Sequence, residues 1–98
     1  MSVLLHTLSA APSSAAFKDC LKVLQPGDAA VLMGDGVYAA VPDTEACGAL
    51  LATGAQLYVL DTHAQLTGVT CTAQGIGLVD MDGLVALSER YCRQMAWY

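Results

Sequence analysis

Short apolar runs alternate with amphipathic stretches along the whole chain. Ser2 to Leu8 is apolar and is closed by Ser9-Ala10-Ala11-Pro12, which predicts a first strand. Ser13 or Ser14 can cap a helix running to about Leu24. Phe17, Cys20, Leu21 and Leu24 fall at i, i+3, i+4 and i+7 on its apolar stripe, and Lys18 and Lys22 lie outside it. Gln25-Pro26-Gly27-Asp28 turns the chain into Ala29 to Met33. That run is apolar at every position, so the strand it predicts is buried on both faces, as in a parallel sheet.

Gly34-Asp35-Gly36 reads as a tight loop, followed by a short helical turn over Val37 to Val41. Asp43 or Thr44 then caps a helix through about Thr53, stopped by Gly54. Gln56 to Leu60 predicts a third strand, Asp61 to Leu66 a short helical or irregular segment ending at Gly68, and Ile76 to Val79 a fourth strand. Asp80 or Asp82 caps a last helix striped by Leu84, Leu87 and Tyr91. Met95 to Tyr98 either extends that helix or leaves it as an edge strand. Strands alternating with helices predict one α/β domain over residues 1–98, three-layered α/β/α, with a mainly parallel sheet of four or five strands.

Composition adds an expectation about partners. Hydrophobic residues make up 55% of the 98, and charged residues 13%, about half the usual ~25%. A domain this small hides only about 60–65% of its unfolded surface. Apolar surface is therefore left over for another chain to cover. The net charge of −5 repels phosphate and argues against direct nucleic-acid binding. No run approaches the ~18–20 apolar residues of a membrane span. The start, Met1-Ser2-Val3-Leu4-Leu5-His6, lacks the basic residues of a signal peptide, so a cytoplasmic location is expected.

In parallel α/β sheets, ligands sit beyond the carboxyl ends of the strands. The residues expected there are His6, Thr7, Ser9, Asp35, Gly36, Asp61 and Asp80. Asp35-Gly36 is first a turn signal, and a lone His6 at a strand end is more often hydrogen-bonded structure. His63 falls in a polar loop and reads as solvated. Asp61 follows a strand as a receiver-domain phospho-acceptor does, but the chain has no acidic pair after the first strand and no Lys beyond Lys22. Neither phosphate-cradling loop occurs, G-x-G-x-x-G or G-x-x-x-x-G-K-[ST]. Cys20, Cys47, Cys71 and Cys92 form no C-x-x-C pair and no metal spacing, so neither a cofactor nor a metal is expected.

The chain opens with Leu5-His6-Thr7-Leu8-Ser9 and Pro12. It continues with Gly27-Asp28, Asp35-Gly36-Val37-Tyr38-Ala39-Ala40, Leu57-Tyr58-Val59-Leu60 and Val79-Asp80, and closes with Met95-Ala96-Trp97-Tyr98. In order and over nearly the whole length, this set resembles the TusB/DsrH family of sulfur-relay subunits. The resemblance implies the DsrE/DsrF/DsrH fold and assembly with TusC-like and TusD-like paralogues as a dimer of heterotrimers. In the Tus branch, persulfide sulfur received from TusA passes through TusD to TusE, towards 2-thiolation of the tRNA wobble uridine. In the Dsr branch a similar complex serves sulfur oxidation, and DsrH-like chains keep a cysteine at the position of Cys20. Many members carry Arg-Gly in the loop after the third strand, where this chain has Gln65-Leu66-Thr67-Gly68. Cys20 is thus the candidate persulfide carrier. Its place on the stripe with Phe17, Leu21 and Leu24 sets burial against that role, and the expected outcome is a dispensable thiol in a structural subunit.

Overall fold

A computed structural model of the chain describes residues 4–42, 44–63, 75–91 and 93–97. The elements run β1 (Leu4–Leu8), α1 (Ala15–Val23), β2 (Ala29–Leu32), a 3₁₀ helix (Gly34–Ala40), α2 (Glu45–Ala52), β3 (Gln56–Leu60), β4 (Ile76–Val79), α3 (Met81–Arg90) and β5 (Arg93–Trp97). The strands form one sheet in the order β4-β3-β2-β1-β5. Every pairing is parallel, with Leu5 opposite Ala29 on one side and Gln94 on the other.

Local chemistry starts each helix. The Ser14 hydroxyl accepts from the Phe17 N–H at 3.2 Å, so Ser14 rather than Ser13 caps α1. Thr44 caps α2 through the Cys47 N–H at 3.3 Å, and Asp80 caps α3 through the Gly83 N–H at 2.7 Å. Beyond α2, Gly54 takes φ 76°, a turn that a side chain would strain.

The strand alternation then fixes two core faces. Leu8, Ala30, Leu32, Leu57, Val59 and Ile76 point to one side and pack with Phe17, Cys20 and Leu24 of the α1 segment and Cys47 and Leu50 of α2. Leu5, Ala29 and Val31 point to the other and pack on Leu87, with Leu84 and Tyr91 alongside. β2 is buried at all four positions, as its unbroken apolar run predicts. The result is a three-layer α/β fold.

The structure departs from the sequence pattern in the stretch after β2. Gly34 to Ala40 is one continuous 3₁₀ helix rather than a loop followed by a turn. Gly36 lies against the end of β1, and a Cβ there would come within 2.1 Å of the Leu8 carbonyl oxygen. The glycine that reads as a loop signal is a close-approach residue. At the carboxyl end, where the sequence leaves helix and edge strand both open, Met95 takes the strand. The helix ends before Tyr91, whose N–H bonds back to the Leu87 carbonyl, and residues 93–97 pair with β1 instead. Pairing satisfies a row of β1 backbone groups that a longer helix would leave bare. Residues 61–63 are helical. The expectations for the rest of that segment, for Ser2 and Val3, for Asp43, for Cys71 and Cys92 and for Tyr98 lie outside the described residues.

Candidate functional site

The strand order reverses between β1 and β5, which makes the crevice beyond their carboxyl ends the place where such sheets bind ligands. Here the chain's own groups bond to one another at those ends. Ser9 follows β1, and its N–H donates to the Trp97 carbonyl at 2.9 Å while its hydroxyl reaches the same oxygen at 3.3 Å. On the other flank, the Met33 N–H donates to the Leu8 carbonyl at 3.0 Å, and Gly36 abuts that same carbonyl.

Two more contacts engage the rim. Gly34 donates its N–H to His63 Nδ1 at 2.8 Å, which ties the end of β2 to the turn after β3. This corrects the reading of His63 as a solvated loop residue: it is half-buried and structural. Asp80 is spent on its cap. Asp35 is exposed, and Thr7 is half-buried. Asp61 Oδ1 is buried and accepts no hydrogen bond among the described residues. No group of three or more metal-ligating side chains occurs among the described residues.

Beneath the rim lies a buried polar chain. His6 is fully inaccessible and Asp28 nearly so. The Trp97 indole N–H donates to His6 Nδ1 at 3.1 Å, and His6 Nε2 lies 3.2 Å from Asp28 Oδ2. An indole can only donate, so Nδ1 is unprotonated and Nε2 carries the proton given to Asp28. Asp28 also accepts from the Leu4 N–H at 3.0 Å and the Gln25 N–H at 3.2 Å. With no accessible surface at the imidazole, this chain resembles a catalytic relay in composition only. It fastens β5, β1 and the turn before β2 together. His6 is legible in the sequence as hydrogen-bonded structure. Its partners are not, because they lie 22 and 91 residues away. The signal available is general: a buried histidine must find partners.

Cys20 is fully buried on the α1 stripe, and burial pushes its thiol up to about 12 from an ordinary 9.0. Lys18 and Lys22 are exposed on the other side of the helix, away from the sulfur. Cys47 is buried in α2. An open groove of about 410 Å³ runs between α1 and α2, floored by Phe17, Leu21, Ala46 and Ala49 and edged by Pro12, Ser13, Lys18 and Glu45. Cys20 does not line it.

This fold is shared with a solved protein. The crystal structure of the ychN protein from E. coli superposes with a TM-score of 0.76 over 98% of this chain and 99% of that one, at 12% identity. At that identity the likeness defines the fold class alone. The family follows from the sequence. The family model described as "DsrH like protein" matches residues 10–94. "Protein TusB" of Pectobacterium parmentieri is 36% identical over 95 residues, which is 96% of this chain and all of that one. "Protein TusB" of Klebsiella pneumoniae subsp. pneumoniae is 34% identical over the same extent. The chain belongs to the DsrH-like family that includes these TusB proteins. Membership supports a role related to sulfur relay, within a multi-subunit complex. No helix among the described residues is long and apolar enough to cross a membrane.

Proposed function

We propose that this chain is a structural, non-catalytic subunit of a TusBCD-type sulfur-relay complex. Its residues 1–98 act as one domain, assembled in the cytoplasm with TusC-like and TusD-like paralogues as a dimer of heterotrimers. The complex passes persulfide sulfur to a TusE-like acceptor, towards 2-thiolation of the tRNA wobble uridine. The burial of Cys20 carries the reading. A persulfide carrier needs an accessible thiolate, and a thiol pushed up to about 12 in an apolar layer supplies neither access nor charge at neutral pH. The strand ends, where Ser9 bonds to the Trp97 carbonyl, agree with a scaffold rather than an enzyme. The charge of −5 supports a link to tRNA that runs through the partners.

The test is Cys20→Ala in a relay reconstituted with TusC, TusD and TusE homologues, alongside thiol labelling of the native complex. Undiminished transfer and no labelling of Cys20 before unfolding are expected. Fast labelling together with lost transfer would make Cys20 the carrier and favour a DsrH-type subunit in sulfur oxidation.

A further inference from the structure

β5 covers the edge of β1 and presents an edge of its own. Trp97 turns its carbonyl to the Ser9 N–H beyond β1, so in this parallel pair Arg93, Met95 and Trp97 direct their backbone polar groups towards β1. Gln94 and Ala96 direct theirs the other way. Each brings one N–H and one C=O to the outer edge, and no described strand takes them. Such a row is a template for another chain, and proteins blunt it with Lys, Pro, a bulge or a covering element. β5 uses none of these devices. Its sequence, Arg-Gln-Met-Ala-Trp, holds no Lys, no Pro and no acidic residue. Its register runs unbroken from Leu4 opposite Arg93 to Leu8 opposite Trp97, so it carries no bulge. Its first four residues are exposed, so no described helix covers them.

What fits this edge is the same edge turned about. The outward groups at Gln94 and Ala96 are symmetric about Met95. A two-fold axis there sets Gln94 of each copy antiparallel to Ala96 of the other, and each of these two pairs exchanges both its N–H···O bonds. No outward group of the strand is then left over. The side chains agree with that register. Met95 is an exposed apolar residue on the same face as Trp97, and it comes opposite the partner's Met95 at the closer, non-hydrogen-bonded spacing. Arg93 is the strand's one charged residue. It falls opposite the partner's Trp97, and the two arginines stay about 14 Å apart along the strands. Two copies of net charge −5 repel elsewhere, but β5 brings no acidic residue to the contact. We propose that two copies of this chain pair antiparallel through β5 about a two-fold axis at Met95, which joins two five-stranded sheets into one. The contact is isologous, so it closes at two copies. It does not depend on the sulfur-relay reading.

Sedimentation of the full-length chain at rising concentration should show one reversible step, from one copy to two, with no larger species. Amide hydrogen exchange locates the contact. The N–H groups of Gln94 and Ala96 should exchange freely in the dilute chain and become protected in the dimer, whereas those of Met95 and Trp97 should be protected in both. Ala96→Pro removes an N–H that β1 does not use, at an edge position where proline is tolerated. The fold should survive and the dimer dissociation constant should rise about tenfold or more. Met95→Lys sets like charges opposite each other across the axis and should weaken the dimer as well. A chain that stays monomeric at every concentration leaves this edge to a different partner and overturns the pairing. So does growth beyond two copies, or a dimer in which Gln94 and Ala96 exchange as freely as in the monomer. A dimer that either variant, once folded, leaves as strong also overturns it. Should a variant fail to fold, the exchange pattern of the unaltered chain decides alone.

Discussion

The two faces of the sheet are built on different terms. The face under α1 and α2 buries Phe17, Leu8, Leu32, Leu50 and Val59 to 1% exposure or less, with the 3₁₀ helix packed in beside them. The other face gathers a smaller group, Leu5, Ala29, Val31 and Leu87, under α3. Among the described residues, the three most exposed large apolar side chains fall in the β4–α3 unit: Leu78 at 62%, Met81 at 57% and Val85 at 55%. The leftover apolar surface is densest around β4 and α3, while Tyr38, Leu51 and Met95 are exposed elsewhere. The contrast locates the leftover hydrophobicity that composition announces, and under the proposed function a paralogous subunit is what covers it.

Truncation in the two clusters is the strongest challenge to this contrast. Phe17→Ala should cost about 4 kcal/mol and Leu87→Ala nearer 2 kcal/mol, since the smaller, thinner cluster can collapse around its cavity. Denaturant titration of the isolated chain checks both, and equal losses would show that the faces are equivalent.

A second measurement sharpens the interior of the tight face. Burial holds the Cys20 thiol protonated up to about 12, whereas the unfolded chain ionises it near 9.0. The native state is therefore favoured fully below that lower value and progressively less as pH rises between the two. Cys20 should contribute a fall in stability of up to about 1.4 kcal/mol per pH unit across this window. The contribution appears as the difference in slope between the unaltered chain and Cys20→Ala. Identical slopes would mean that the thiol is solvated.

The smallest effect is expected where the chain is open. Val85→Lys or Met81→Lys should change the stability of the isolated chain by no more than about 0.5 kcal/mol. Either should nonetheless weaken co-purification with TusC and TusD homologues. A large loss of stability in the isolated chain would place these side chains in its own core.

What was legible in the sequence follows the range of the interactions. The caps at Ser14, Thr44 and Asp80 act over three residues, and the stripe of Phe17, Cys20 and Leu24 over two turns. Both kinds of signal are readable along the chain. The all-apolar β2 announced burial on both faces and hence a parallel sheet. The fate of Met95 to Trp97 was not readable, because it depends on an open edge of β1 at the far end of the chain. The role of Gly36 was not readable either, since the Leu8 carbonyl it must avoid belongs to another strand. The candidate site follows the same rule: His6 stood out by its type, but Asp28 and Trp97 become its partners only through the sheet.

Placing β5 beside β1 also has a consequence for how the molecule is made. The sheet grows from β1 through β2 and β3 to β4 by short crossovers, but its other side closes only when segments as far apart as His6 and Trp97, 91 residues, meet. Such closure forfeits more chain entropy before any contact rewards it and slows the search for the native state. Until it happens, β1 presents an unpaired edge to every other chain in the vicinity. Docked on β1, β5 is thus the protein's safeguard against mispairing, and any interval before it docks is when a waiting subunit or a chaperone would matter most.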